Sequence, residues 1–257
     1  MRNRIVILVV AMGALLTVGA QAGERLDRIE ETKVLRVGTP GDYRPFSIRE
    51  DGVYRGHDIE LAEALAAAAG WKVEIVPTSW PKLTEDLQAG KFDVAVGGIT
   101  QTVARWKVGT FLPGYAPFGK VALVPAAKAD HFTTPESLNQ PDVRVIKNPG
   151  GTNEKYVLDH LTKAQVTTHD ANHEIPGLIA EGKGDVMITE TMEAKLYVKK
   201  YPGKLHAAFL DHPLTPTSVM GFWMPADDAE YVRVMQYLWD ITGVRGERAA
   251  LEKKWLE

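Results

Sequence analysis

Short strand-like runs alternate with helical stretches along this chain, and they do so in two separate groups. In the first group Val34-Leu35-Arg36-Val37-Gly38, Val73-Glu74-Ile75-Val76 and Phe92-Asp93-Val94-Ala95-Val96 are apolar runs of strand length. Between them lie an Ala/Leu-rich helix from His57 to Gly70 and another from Trp80 to Ala89. Pro81 suits the first turn of the latter and Gly90 its end. Asp42–Phe46 reads as a loop, because Pro45 disfavours a helical Arg44. The second group begins near Val124. Its strands are Val143–Ile146, Gln165–Thr168 and Asp185–Thr189, and its helices are Asn153–Leu161, Ile175–Glu181 and Glu190–Lys200. Tyr231–Leu256 reads as two more helices with Gly243 between them.

This alternation implies an α/β fold with mostly parallel sheets flanked by helices. Two half-size units fit one continuous sheet poorly, so two lobes are expected. Residues 23–122 and 217–257 form the first and 123–216 the second, with crossings near Ala122–Pro125 and Leu210–Thr217. Ligands on open α/β sheets bind beyond the carboxyl ends of the strands, which places a site in the cleft between the lobes.

Residues 1–22 have the layout of a cleavable signal peptide. Arg2 and Arg4 precede an apolar run from Ile5 to Val18, and Ala20-Gln21-Ala22 is a small-x-small cleavage site. The run is short of the roughly 20 residues that span a bilayer. The mature chain is therefore expected in the periplasm, free of the membrane. There are no cysteines, which removes disulfides, thiolate metal sites and a lipidated N-terminus. A net charge of −3 gives no basis for a nucleic-acid partner.

Several residues could carry chemistry. Gly97 and Gly98 end a strand where a ligand can approach the backbone; Thr100 and nearby amides can donate hydrogen bonds there, and Arg105 follows. An Arg at such a place either grips a carboxylate through two parallel bonds or is a solvated helix residue. Gly150-Gly151-Thr152-Asn153 opens a helix, as an anion site or as a plain cap with Thr152. Glu190 and Glu193 stand three apart at a helix start, either as site carboxyls or as a surface capping pattern with Thr189. Tyr43 and Trp80 lie near loop ends and line either a cleft or a core, as do Phe46, Tyr115 and Phe118. Lys120 stands just before the first crossing. His57, His169, His173 and His212 show no metal spacing, and neither a Gly-x-Ser-x-Gly nor a P-loop motif occurs. No metal or organic cofactor is expected.

Gly41-Asp42-Tyr43-Arg44-Pro45-Phe46, Gly56-His57-Asp58, Phe92-Asp93-Val94 with Gly97-Gly98-Ile99-Thr100, and Arg105 together resemble the family 3 extracellular solute-binding proteins. The resemblance implies the two-lobed type II periplasmic binding protein fold. It puts Arg105 on a ligand carboxylate and Glu190 where the family usually has an Asp for an amino group. Val76–Pro81, Asn148–Lys155 and Thr189–Lys195 resemble more narrowly the cyclohexadienyl dehydratases, enzymes on this scaffold that act on prephenate or arogenate. That resemblance implies a general acid at Glu193 and cleft residues at Lys120, Trp80 and Asn153. Arg105 and Thr100 would take one carboxylate, Thr152, Asn153 and Lys120 the other acceptors, and Trp80 and Tyr43 the ring. Glu in place of Asp at position 190 implies weaker amino-group recognition. The alternative is a receptor without chemistry that delivers an amino acid or other carboxylate to an ABC permease. A sensor module is a third class.

Overall fold

The computed structural model describes residues 23–257; the expected signal peptide lies outside the described residues. The chain opens with α1 (Glu24–Thr32), β1 (Val34–Thr39), β2 (Asp42–Tyr43), β3 (Ser47–Glu50), β4 (Val53–Arg55) and α2 (His57–Ala68). It continues through β5 (Lys72–Pro77), α3 (Leu83–Gln88), β6 (Val94–Ala95), α4 (Val103–Trp106), β7 (Thr110–Phe111) and β8 (Tyr115–Phe118). β1 lies between β5 and β6, parallel to both. Leu35 and Val37 on β1 are fully buried, and α2 covers them with Leu61, Ala62, Leu65 and Ala66. That i, i+4 spacing is one face of a helix, and each buried Leu contributes about 1.5–3 kcal/mol.

The next strand, β9 (Lys120–Pro125), belongs to a second sheet. β10 (Arg144–Lys147), α5 (Gly151–His160), β11 (Gln165–Thr168), α6 (Ile175–Ala180), β12 (Met187–Glu190), α7 (Thr191–Lys200) and β13 (Leu205–Ala208) follow it. β9 runs antiparallel between β12 and β13, while β10 and β11 pair in parallel. Ala122 and Val124 enter one apolar cluster and Val121 and Leu123 the other. The continuous apolar run is therefore a central strand with both faces covered, not a connector. Gly119 separates β8 from β9, and Ala122–Pro125 lies within β9.

The chain returns through β14 (Ser218–Met220), which pairs with β8, and β15 (Trp223–Met224), which joins the first sheet antiparallel to β6 and β7. α8 (Ala229–Val244) and α9 (Glu247–Trp255) then pack on α2, so the C-terminal helices sit on the first lobe. Asp228 caps α8 by accepting from Tyr231 N at 2.9 Å.

Three expectations shift locally. Asp42–Phe46 is not a plain loop, since Asp42 and Tyr43 pair with Ile48 and Ser47. α3 starts at Leu83, leaving Trp80 and Pro81 in the turn before it. The break between α8 and α9 is at Gly246, whose φ of +77 ends the helix, while Gly243 lies inside α8.

Candidate functional site

A cavity lies at the carboxyl ends of the strands. The first lobe lines it with Tyr43, Trp80, Gly98, Thr100 and Arg105. The second contributes Gly150, Gly151, Thr152, Asn153 and Glu190, together with Asn148 and Asn172. The lobes meet around it: Tyr43 donates from its hydroxyl to Glu190 Oε2 at 2.6 Å, and Thr100 Oγ1 lies 3.5 Å from Thr152 Oγ1.

The glycine turn after β6 is shaped by α2. Asp58, fully buried in the first turn of that helix, accepts from Gly97 N at 2.8 Å and Gly98 N at 2.7 Å through Oδ2. Its Oδ1 is 2.8 Å from His57 Nδ1. Those two amides, read from sequence as free donors, are thus committed to the protein. Gly98 has φ +74 and abuts the Tyr43 ring, so a side chain there would displace the ring from the cavity wall.

Arg105 projects from the short helix that Thr102 caps, and its Nη1 donates to Thr100 O at 2.8 Å. The guanidinium also lies 5.8 Å from the ring centre of Trp223. The residue is half-buried, yet loss of solvent around its charged head lowers its pKa to about 10, with Glu190 acting in the opposite direction. Among the described residues it has no ion-pair partner, so a desolvated cation faces the cavity without a counter-ion. An anionic guest relieves that cost.

Opposite it, the amino end of α5 opens on the cavity through Gly150, Gly151, Thr152 and Asn153. First-turn amides and the helix dipole favour negative charge. Glu154 Oε2 accepts from Gly150 N at 2.7 Å, leaving the next amides for the cavity. Gly150 has φ +76, and a Cβ on it would lie 2.6 Å from Pro81 N in the other lobe.

Lys120 does not line the cavity. It is buried behind Thr152 and Asn153, and its Nζ lies 3.0 Å from Thr152 Oγ1 and 3.1 Å from Glu190 Oε1. It donates to Asn153 Oδ1 as well. Trp80 Nε1 donates to Asp42 Oδ1 at 2.8 Å, which fixes the indole beside Tyr43 at 6.0 Å between ring centres.

Glu193 is also outside the lining, one layer behind Asn172. It is fully buried at the start of α7. Thr189 Oγ1 donates to its Oε2, and Asn172 Nδ2 donates to its Oε1 at 3.1 Å. Burial raises its pKa well above the usual carboxylate range, and repulsion from Glu190 and Asp42 raises it further against those two hydrogen bonds. Burial and the neighbouring carboxylates thus favour the protonated form, and the side chain is not a surface cap.

Asn172 was not singled out from the sequence, and Asn148 and Asp58 entered only as members of longer motifs, without a role. Asn172 sits in a short 3-10 turn with no periodic signal, and Asp58 reads as an ordinary first-turn acid. Among the described residues no group of three or more metal-ligating side chains converges.

The family model described as bacterial extracellular solute-binding proteins, family 3, matches residues 35–257. The cyclohexadienyl dehydratase of Pseudomonas aeruginosa is 38% identical over 252 residues, covering 96% of this chain and 91% of its own. An ancestral amino acid-binding protein, a precursor of cyclohexadienyl dehydratase, has a similar structure with a TM-score of 0.82 at 34% identity, covering 91% of this chain and 100% of its own. A crystal structure of an ancestral cyclohexadienyl dehydratase is 49% identical with a TM-score of 0.54, covering 90% of this chain and 96% of its own.

Proposed function

We propose that this chain, which belongs to family 3 of the bacterial extracellular solute-binding proteins and has their type II periplasmic binding protein fold, is a periplasmic cyclohexadienyl dehydratase. The observation that carries the reading is Glu193, a fully buried carboxyl whose pKa is raised by that burial, one layer behind a cavity walled by an arginine that has no ion-pair partner among the described residues.

Prephenate has a ring hydroxyl, a ring carboxylate and a second carboxylate on its side chain. In the proposed step the bond to the ring carboxylate breaks, CO₂ leaves, and its electron pair enters the ring. The bond to the hydroxyl breaks at the same time, and a proton from Glu193 carries the oxygen away as water. The ring becomes aromatic and Glu193 takes its next proton from solvent. Arg105 and Thr100 hold one carboxylate, the α5 amides of Thr152 and Asn153 the other, and Tyr43, Trp80 and Gly98 close on the ring. Glu193 reaches the hydroxyl by turning away from Thr189 and Asn172, a movement of one side-chain layer. Enclosure keeps the acid protonated and strengthens every charge interaction in the cavity.

The test is to incubate the protein with prephenate and follow phenylpyruvate. Glu193→Gln should slow its formation by about 10²–10⁴, the usual contribution of a positioned acid. A rate within a few-fold of wild type removes Glu193 from that role. A second reading, an amino-acid receptor serving an ABC permease, draws support from the closer backbone match to the ancestral amino acid-binding protein. It predicts that prephenate is left unchanged.

A further inference from the structure

Lys120 occupies the carboxylate that a ligand's amino group would need. Lys120 and Glu190 are cross-strand partners in the β9–β12 ladder, so their side chains stand on one face by register. The three protons of the Lys120 ammonium have acceptors in Glu190, Thr152 and Asn153. Glu190 is filled from its other side, where Oε2 accepts from Tyr43 at 2.6 Å and from Asn153 Nδ2 at 3.2 Å. Both members of the pair are buried, so neither leaves by swinging into water. With this pair opposite in charge, Arg105 is, among the described residues, the charged side chain of the cavity wall that has no ion-pair partner.

A 2-amino acid brings a carboxylate for Arg105 and an ammonium that meets Glu190 only beside the Lys120 cation. Two like charges at such separations in a desolvated site repel strongly. A 2-oxo acid brings the same carboxylate and a neutral acceptor, which the amides at the α5 start can serve.

We propose that the Lys120–Glu190 pair makes this site select 2-oxo carboxylates over their 2-amino counterparts, so that prephenate is preferred to arogenate. The identity of the ring rests on the dehydratase reading. Head-group selectivity is a binding property and can be read without turnover.

The experiment is calorimetric titration of the protein with phenylpyruvate and with L-phenylalanine, which share a ring and differ in the head group. The oxo acid should bind about tenfold or more tightly than the amino acid. In Lys120→Met, Glu190 is released for an ammonium, and the ratio should fall by about tenfold or reverse. Equal or tighter binding of L-phenylalanine to wild type, or binding of neither, overturns the proposal. An unchanged ratio in a folded Lys120→Met overturns the role of the pair. If that variant does not fold, the wild-type ratio decides. Oxo selectivity without turnover of prephenate sinks the dehydratase reading and leaves this one standing.

Discussion

Tyr43 and Glu190 come from opposite lobes and share a 2.6 Å hydrogen bond across the cavity. Tyr43 is buried, and burial together with the charge of Glu190 raises its pKa well above that of a free phenol, so it remains the donor. The bond is a latch on the closed form, and it exists only when the lobes meet.

Tyr43→Phe keeps the ring stacked 5.4 Å from Phe46 and removes the latch alone. A hydrogen bond to a charged group contributes about 1.5–3 kcal/mol. The Michaelis constant for prephenate should therefore rise about tenfold or more, and small-angle scattering should report a larger radius of gyration. An unaltered Michaelis constant would show that closure does not depend on this bond.

Glu193 ties stability to pH with a definite sign. Its folded pKa is raised, so the folded chain holds the proton more tightly than the unfolded chain does. Below the unfolded value of about 4.3 both states are protonated and the group is neutral in effect. As pH rises above that, ionisation of the unfolded chain draws stability away until the folded pKa is passed. Glu193→Gln mimics the protonated form and lacks this loss. Melting curves of wild type and variant should converge near about pH 4, with the variant gaining on wild type toward about pH 8. Parallel pH profiles would mean that Glu193 is not protonated in the fold.

Arg105→Met should separate stability from binding. Without ligand, the desolvated guanidinium lacks a carboxylate partner, and replacing it with an apolar chain of similar length removes that cost. The ligand-free melting temperature should rise by about 2–4 °C, which corresponds to roughly 1 kcal/mol in a chain of this size. Stabilisation by added phenylpyruvate should vanish. A variant less stable than wild type would show that the bond to Thr100 O and the contact with Trp223 outweigh the desolvation.

Much of the architecture was legible because it is written in local patterns. The β1, β5 and β6 runs announced a parallel sheet, and the spacing of Glu190 and Glu193 put both at a helix start without deciding between site carboxyls and a surface cap. What escaped depends on partners far away in the chain. Nothing near Asp58 shows that it holds Gly97 and Gly98, some 39 and 40 residues on. Asn172 acquires meaning only through Glu193 and the cavity. Lys120 looked available for the ligand's other acceptors because its ladder partner Glu190 is 70 positions distant.

At Gly150 the second lobe's backbone comes to rest against the Trp80–Pro81 peptide. How far the jaws shut is therefore set by the lack of one methyl group. A carbon atom added there would act as a doorstop, leaving a gap through which water reaches the chamber. The acidity of a carboxyl and the pull of a guanidinium inside both depend on how dry that chamber becomes, so a glycine with no side chain of its own governs the chemistry from its rim.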